Sequence, residues 1–286
     1  MALNIISGER RWIDVGVNNL GLTGIALDAN YIFAVCQSNI PTLSIISRKN
    51  HKPVAVIQLN ELGDPHSITI DAKGYVYIVS TAHDSVSRYF FDKQKNKLKY
   101  VDCMWNPKNS LQNSDTHHIN SIFVCNRNIF ISAFGPREGE RWSSANDGYI
   151  YNITKGLKEI KKIYHPHSIF VERNIFSKRN DFYYCESSSR SVKKNNKIIV
   201  KLDKGYTRGL CLWKNHLFLG TSSGRKRSKS TGLVNNPADS GDLEEDCRVL
   251  IYKKKWFSSS YNFVNEYQFN PERNEIYDII FLNDRK

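Results

Sequence analysis

No stretch of this chain reaches the ~20 consecutive apolar residues that a membrane-crossing helix needs. The opening MALNIISGERRWIDV holds no apolar core of signal-peptide length. The expectation is a soluble cytoplasmic protein without a membrane span. No CxxC pair occurs among Cys36, Cys103, Cys125, Cys185, Cys211 and Cys247, which speaks against a zinc ribbon or a disulfide framework. Most of these thiols sit in apolar runs, where free cysteine behaves as a small hydrophobe. A P-loop, a dinucleotide GxGxxG and an HExxH motif are missing as well. Acidic residues are scarce: Asp+Glu number 28 against 41 Lys+Arg, a net charge of +13. Such a balance favours acidic partners. No arginine-rich helix or nucleic-acid motif accompanies it, so a solvated basic surface is the simpler reading and nucleic-acid binding the weakest one.

What is present is a repeat. Aromatic residues at 12% and hydrophobic residues at 40% can fill a core, and they are organised in paired apolar runs with period-two alternation. The pairs begin at Thr23, His66 (HSITIDAKGYVYIVST), Asn120 (NSIFVCNRNIFISAFG), His167, Arg208 (RGLCLWKNHLFLGTSS) and Tyr277 (YDIIFLNDRK), at intervals of 43, 54, 47, 41 and 69 residues. Hairpins of β-branched and aromatic residues recurring at this spacing, without helix-period patterning, indicate an all-β protein, a β-propeller. Six starts predict six blades. The ring would be closed by the N-terminal pieces LNIIS and RWIDVGV completing the blade that the C-terminal strand begins. Residues 1–286 then form a single domain, and the polar stretch about 222–246 is an insertion that accounts for the long last interval.

The innermost strand of each blade lines the central channel, so equivalent positions of successive repeats meet there. Those positions hold Thr23, His66, Asn120, His167, Arg208 and Tyr277. Two residues earlier, on the same face if the strand continues, stand Asp64, His118, His165, Tyr206 and Glu275. Three roles are open for His66, His118 and His167. They can ligate a divalent metal ion through three neutral nitrogens, act as acid–base groups, or serve as hydrogen-bonded channel residues around water. An arginine near the axis needs an anion. Glu275 or Asp278 would meet Arg208 structurally; otherwise its planar fork clamps a substrate carboxylate or phosphate. The loop Arg225-Lys226-Arg227 is either an anion attractor or a solvated charge run.

The stretches HPHSIFV, CESSSRSV, YTRGLCLW, FLGTSSGRKRS and NEIYDIIFL, with the upstream DTHHINSIFV and PHSITI, resemble the PHS, RGL and ELYD-like motifs of a bacterial β-propeller family of conserved hypothetical proteins, a domain of unknown function. The resemblance spans about residues 64 to 282. It departs from the pattern where Ser67 follows His66 and where the basic loop reads SGRKRS. It implies a shared constellation of His118, Asn120, His167, Ser168, Arg208, Glu275, Tyr277 and Asp278. The architecture is also similar to six-bladed lactonase and strictosidine-synthase propellers, an analogy of fold only.

The expectation is therefore a metal-assisted hydrolase or lyase acting on an anionic small molecule at the channel mouth. In it His66, His118 and His167 hold the metal, Arg208, Asn120 and Ser168 bind substrate, and Glu275 or Tyr277 moves a proton. The alternative is a non-enzymatic propeller that binds a protein or glycan partner.

Overall fold

In a computed structural model, residues 1–18, 21–107, 114–174, 177–223, 247–255, 260–269 and 275–282 are described. The basic loop 225–227 and most of the expected insertion lie outside them.

Five four-stranded antiparallel sheets follow one another along the chain, each a simple meander. Blade one comprises Gly21–Leu27, Tyr31–Gln37, Thr42–Ser47 and Pro53–Gln58. Blade two comprises Pro65–Ile70, Tyr75–Ser80, Ser85–Asp92 and Lys97–Trp105. Blade three runs through Ile119–Cys125, Asn128–Ala133, Gly148–Asn152 and Leu157–Ile163. Blade four runs through Pro166–Arg173, Asn180–Glu186, Ser191–Lys194 and Lys197–Lys201. Blade five consists of Tyr206–Trp213, His216–Ser222, Arg248–Lys254 and Tyr261–Gln268. No helix among the described residues is long and apolar enough to cross a membrane.

The order of polarity across each blade explains the packing. Second strands such as YIFAVCQ and YVYIVS are buried along nearly their whole length, because both faces meet neighbouring blades; outer strands such as PVAVIQ alternate half-buried and exposed. The core therefore lies between blades rather than at one centre. Phe33, Leu43, Ile45 and Ile78 join blades one and two, Val79, Ile119 and Ile131 join two and three, and Tyr183, Cys185, Leu217 and Leu219 join four and five. The first strands of successive blades pack against one another around the axis.

The expected sixth blade is not there. The segment 275–282 forms no sheet strand, and the N-terminal pieces do not complete a blade with it. Ala2–Leu3 pairs instead with Arg10–Arg11 in a separate two-stranded hairpin. The physical reason is that the expected partner pieces are taken: the N-terminal pieces pair with each other, and the closing segment is held by side chains instead. The Ser222 hydroxyl donates to the Ile276 carbonyl at 3.4 Å and accepts from the Ile276 N–H at 3.1 Å. The seam between blades five and one is filled by apolar side chains from both chain ends. Ile5, Ile279 and Phe281 pack on Cys211, Phe218 and Ile251, and Ile13, Val15 and Leu282 pack on Ile32, Ala34 and Ile46. Phe281 stacks on Trp213 with ring centroids 4.0 Å apart.

Although it lacks a sheet, the closing segment keeps the contacts that link the inner strands. Hydroxyls at the end of the second strands of blades two to five reach the next inner segment, and in blade one Thr23 of the first strand donates to the Pro65 carbonyl at 2.5 Å. Thr81 donates to the Ile119 carbonyl at 2.6 Å and Ser187 to the Thr207 carbonyl at 2.6 Å, and Ser132 Oγ lies 3.3 Å from the Pro166 carbonyl. Ser222 and Ile276 repeat this pattern at the seam. A second set runs along the inner strands themselves. The Ile122 N–H donates to Ser67 Oγ at 3.3 Å, Ile169 N–H to Ser121 Oγ at 3.3 Å, Gly209 N–H to Ser168 Oγ at 2.9 Å, and Ile25 N–H to Asp278 Oδ2 at 3.1 Å. Two glycines stand where the equivalent position has no room for a side chain. A Cβ on Gly24 would lie 2.9 Å from the Ile68 nitrogen, and one on Gly209, whose φ is +65°, would lie 3.1 Å from Ile279 Cγ1.

Candidate functional site

The residues singled out in the repeat sit where the inner strands begin, and each of those strands carries a β-bulge there. Register shifts fall between Leu22 and Gly24, Pro65 and Ser67, Ile119 and Ser121, His167 and Phe170, and Arg208 and Leu210. Thr23, His66 and Asn120 are thus the extra residues of their bulges. A bulge frees its residue from the ladder and re-aims its side chain. One premise of the sequence reading fails at this point. The positions two residues earlier do not continue the extended strand: Asp64, His118 and His165 have φ of 47°, 50° and 45°. Asp and His tolerate this left-handed region better than most side chains.

Even so, the chain brings several of the expected residues together. His66 and His118 meet edge to face with ring centroids 5.5 Å apart, and Tyr277 lies 5.8 Å from His66. His167 faces Tyr206 at 5.5 Å. The Arg208 guanidinium lies over the rings of Tyr277 at 4.7 Å and Tyr206 at 5.3 Å, joining the two halves of the ring. All three histidines are buried, at 8%, 7% and 5% exposure for His66, His118 and His167. Burial pushes His66 and His167 below the ordinary imidazole range, and the nearby Arg208 charge adds to the effect in both.

Each of these rings is held through Nδ1. In His66 it faces the Asp64 carbonyl at 3.0 Å. In His118 it faces the Asp115 carboxylate at 3.0 and 3.3 Å. In His167 it faces Ser187 Oγ at 2.7 Å and the His165 carbonyl at 3.1 Å. His165 turns elsewhere: its ring stacks on Phe134 at 4.4 Å, and its Nε2 donates to the Trp142 carbonyl at 2.8 Å.

The structure does not assemble His66, His118 and His167 into a metal-ligand set. Phe134 stands beside both His118, at 4.5 Å, and His167, at 5.1 Å. Among the described residues no three His, Cys, Asp or Glu side chains are placed to share a metal ion. The donor chemistry suits a metal but the spacing does not. Asn120 and Ser168 are engaged in the scaffold. The Asn120 amide donates to the His118 carbonyl at 3.3 Å and accepts from Ser132 at 3.0 Å, while Ser168 accepts from the Gly209 N–H. Glu275 lies two residues before Tyr277 in the closing segment, partly buried. Asp278 is also in that segment; its carboxyl accepts the N–H groups of Ile25 and Ile279, and burial raises its pKa to about 7.

Sequence reasoning missed Asp115, Phe134 and Trp142. Asp115 stands three residues before His118 in DTHH, a local spacing that would have identified it. Trp142 packs on His118 at 4.5 Å from the loop after blade three's second strand, a position that no repeat alignment reaches. Behind this edge, Asp84 holds the loop in place: its Oδ2 accepts the N–H groups of Thr116 and His117 at 2.6 and 2.9 Å.

The sequence profile of a family described as a domain of unknown function (DUF4915) matches residues 24–286. No curated protein matches the chain significantly. Among solved structures, a chain of a nidogen/laminin complex superposes with a TM-score of 0.59 at 11% identity, covering 90% of this chain and 83% of that one. A protein from Lactobacillus plantarum gives 0.54 at 10% identity, over 90% and 88% of the two chains. The calcium-binding protein regucalcin from Agrobacterium tumefaciens gives 0.51 at 15% identity, over 84% of each. At such identities the likeness concerns the fold alone.

Proposed function

The chain belongs to that family, and we propose that its axial residues form an acid–base site acting on an anionic small molecule, in a hydrolase or lyase reaction. The observation that carries this reading is the His118–Asp115 pair beside His66. A carboxylate on Nδ1 orients the imidazole, leaves Nε2 to take a proton, and stabilises the cation that forms. Arg208 supplies the positive charge that an anionic substrate needs, and it lies over Tyr277, whose ring meets His66. From the closing segment, the Tyr277 ring meets His66 edge to face at 5.8 Å. Regucalcin is described as calcium-binding. No step here is routed through a metal, because the three histidines are not spaced to share one.

A screen of anionic esters and hydroxy acids tests this reading. His118→Ala and Arg208→Gln are expected to lower kcat/KM for any substrate found by about 100-fold or more, and a substrate turned over equally well by His118→Ala refutes it. A second reading is a ring that binds a protein or glycan, with the axial residues as scaffold. The engagement of both Asn120 and Ser168 in inter-strand bonds favours it. In that case His118→Ala lowers stability and leaves partner binding intact.

A further inference from the structure

The hydrogen bonds that hold the axial histidines also decide where each carries its proton. Ser187 has one hydroxyl proton, which goes to the Thr207 carbonyl at 2.6 Å. Its oxygen therefore accepts from His167 Nδ1, as does the His165 carbonyl. His66 Nδ1 faces the Asp64 carbonyl and His118 Nδ1 the Asp115 carboxylate, both acceptors only. All three neutral rings are thus Nδ1–H tautomers with a lone pair on Nε2. His165 has the opposite arrangement, since its Nε2 donates to Trp142 and its Nδ1 accepts from Ser188 at 2.5 Å. The lone pair of His167 is the most exacting: Nε2 is buried and has no hydrogen-bond partner among the described residues. Buried polar atoms are rarely left unpaired unless something else satisfies them.

We propose that the axial site takes a hydroxylated small anion, whose hydroxyl groups donate to Nε2 of His66, His118 and His167 while Arg208 meets its carboxylate or phosphate. This rests on the reading of the axial residues as a small-molecule site. An anion without hydroxyls would set its oxygen lone pairs against nitrogen lone pairs, a repulsion that leaves the array unsatisfied. The rings of Tyr206 and Tyr277 under the guanidinium fix its plane and so the direction from which the anionic group is met.

Two pairs of probes of matched charge and length test the proposal by titration calorimetry on the full chain near neutral pH. They are erythronate against butyrate, and erythritol 4-phosphate against butyl phosphate, the hydroxylated member of each carrying three hydroxyl groups for the three Nε2 atoms. In at least one pair the hydroxylated member binds about tenfold tighter or more, and the pair that responds identifies the anionic group. Arg208→Gln removes that binding, and His167→Phe brings the ratio within the responding pair close to one. Because His167→Phe also breaks the Ser187 contact, a second measurement uses unaltered protein: long-range proton–nitrogen NMR shows Nε2 of the three histidines unprotonated, and the hydroxylated probe shifts those resonances. Equal affinities within both pairs, no binding of any probe at millimolar concentration, or protonated Nε2 atoms overturn the proposal. So does stoichiometric binding of Zn²⁺ alone that shifts the same nitrogens. Selective binding without turnover of any hydroxylated anion keeps this inference and defeats the acid–base reading.

Discussion

Replacing Asp278 by Asn is the sharpest test of how the ring is closed. Asp278 lies in the segment between blades five and one, where its two oxygens accept the N–H groups of Ile25 and Ile279. Desolvation outweighs those bonds and raises its pKa from 3.8 to about 7. A shift of roughly 3 units corresponds to about 4 kcal/mol, an upper figure for a side chain that is partly accessible. The sign follows from proton binding. Between pH ~4 and ~7 the folded state holds a proton that the unfolded state has released, so stability is greatest below the unfolded pKa and falls as pH rises through the folded one. Asn cannot titrate, but it offers one oxygen instead of two and leaves an N–H facing its NH₂ group, which costs about 1–3 kcal/mol at every pH. The variant is therefore expected to be less stable than the parent near pH 4.5 and to equal or exceed it near pH 8.5. Urea unfolding of both proteins across that range, compared as the difference at each pH, is the assay. His66 and His167, whose lowered pKa values remove stability as pH falls below about 6.5, titrate in both proteins and cancel in the difference. A difference that stays constant within about 0.5 kcal/mol would show that the carboxyl is ionised throughout, and the account of the seam would fail.

Other outcomes follow from the links between blades. Ser121→Ala removes an acceptor from the Ile169 N–H and a partner from Ser132; it should cost about 1–3 kcal/mol in denaturant unfolding. Gly24→Ala drives a Cβ to 2.9 Å from the backbone of Ser67 and Ile68. It should lower the melting temperature by more than a typical surface substitution, with a cost of about 1–3 kcal/mol. Phe281→Ala takes a stacked ring from the seam against Trp213 and Phe218, and about 2–4 kcal/mol should be lost. A variant that melted like the parent would mean that the C-terminal segment does not seal the ring.

The sequence determined the all-β propeller architecture, because paired apolar runs at recurring intervals can bury both faces of an inner hairpin only between neighbouring blades. It also determined which positions gather near the axis: His66, His167, Arg208 and Tyr277 were legible because equivalent slots of a ring converge, however far apart they are in the chain, whereas His118 was reached through an extended-strand rule that its left-handed backbone breaks. The blade count was not legible. A sixth repeat start at Tyr277 has the same local pattern as the others, and only the tertiary structure shows that this segment forms no sheet strand while the N-terminal pieces pair with each other. The metal set was likewise out of reach, since ligation depends on distances of a few ångströms. Those distances were decided by bulges, by left-handed backbone at Asp64, His118 and His165, and by Phe134, just after blade three's second strand, standing beside two of the rings. Periodicity specifies which residues come near one another. Local backbone geometry and side chains off the period decide what they touch.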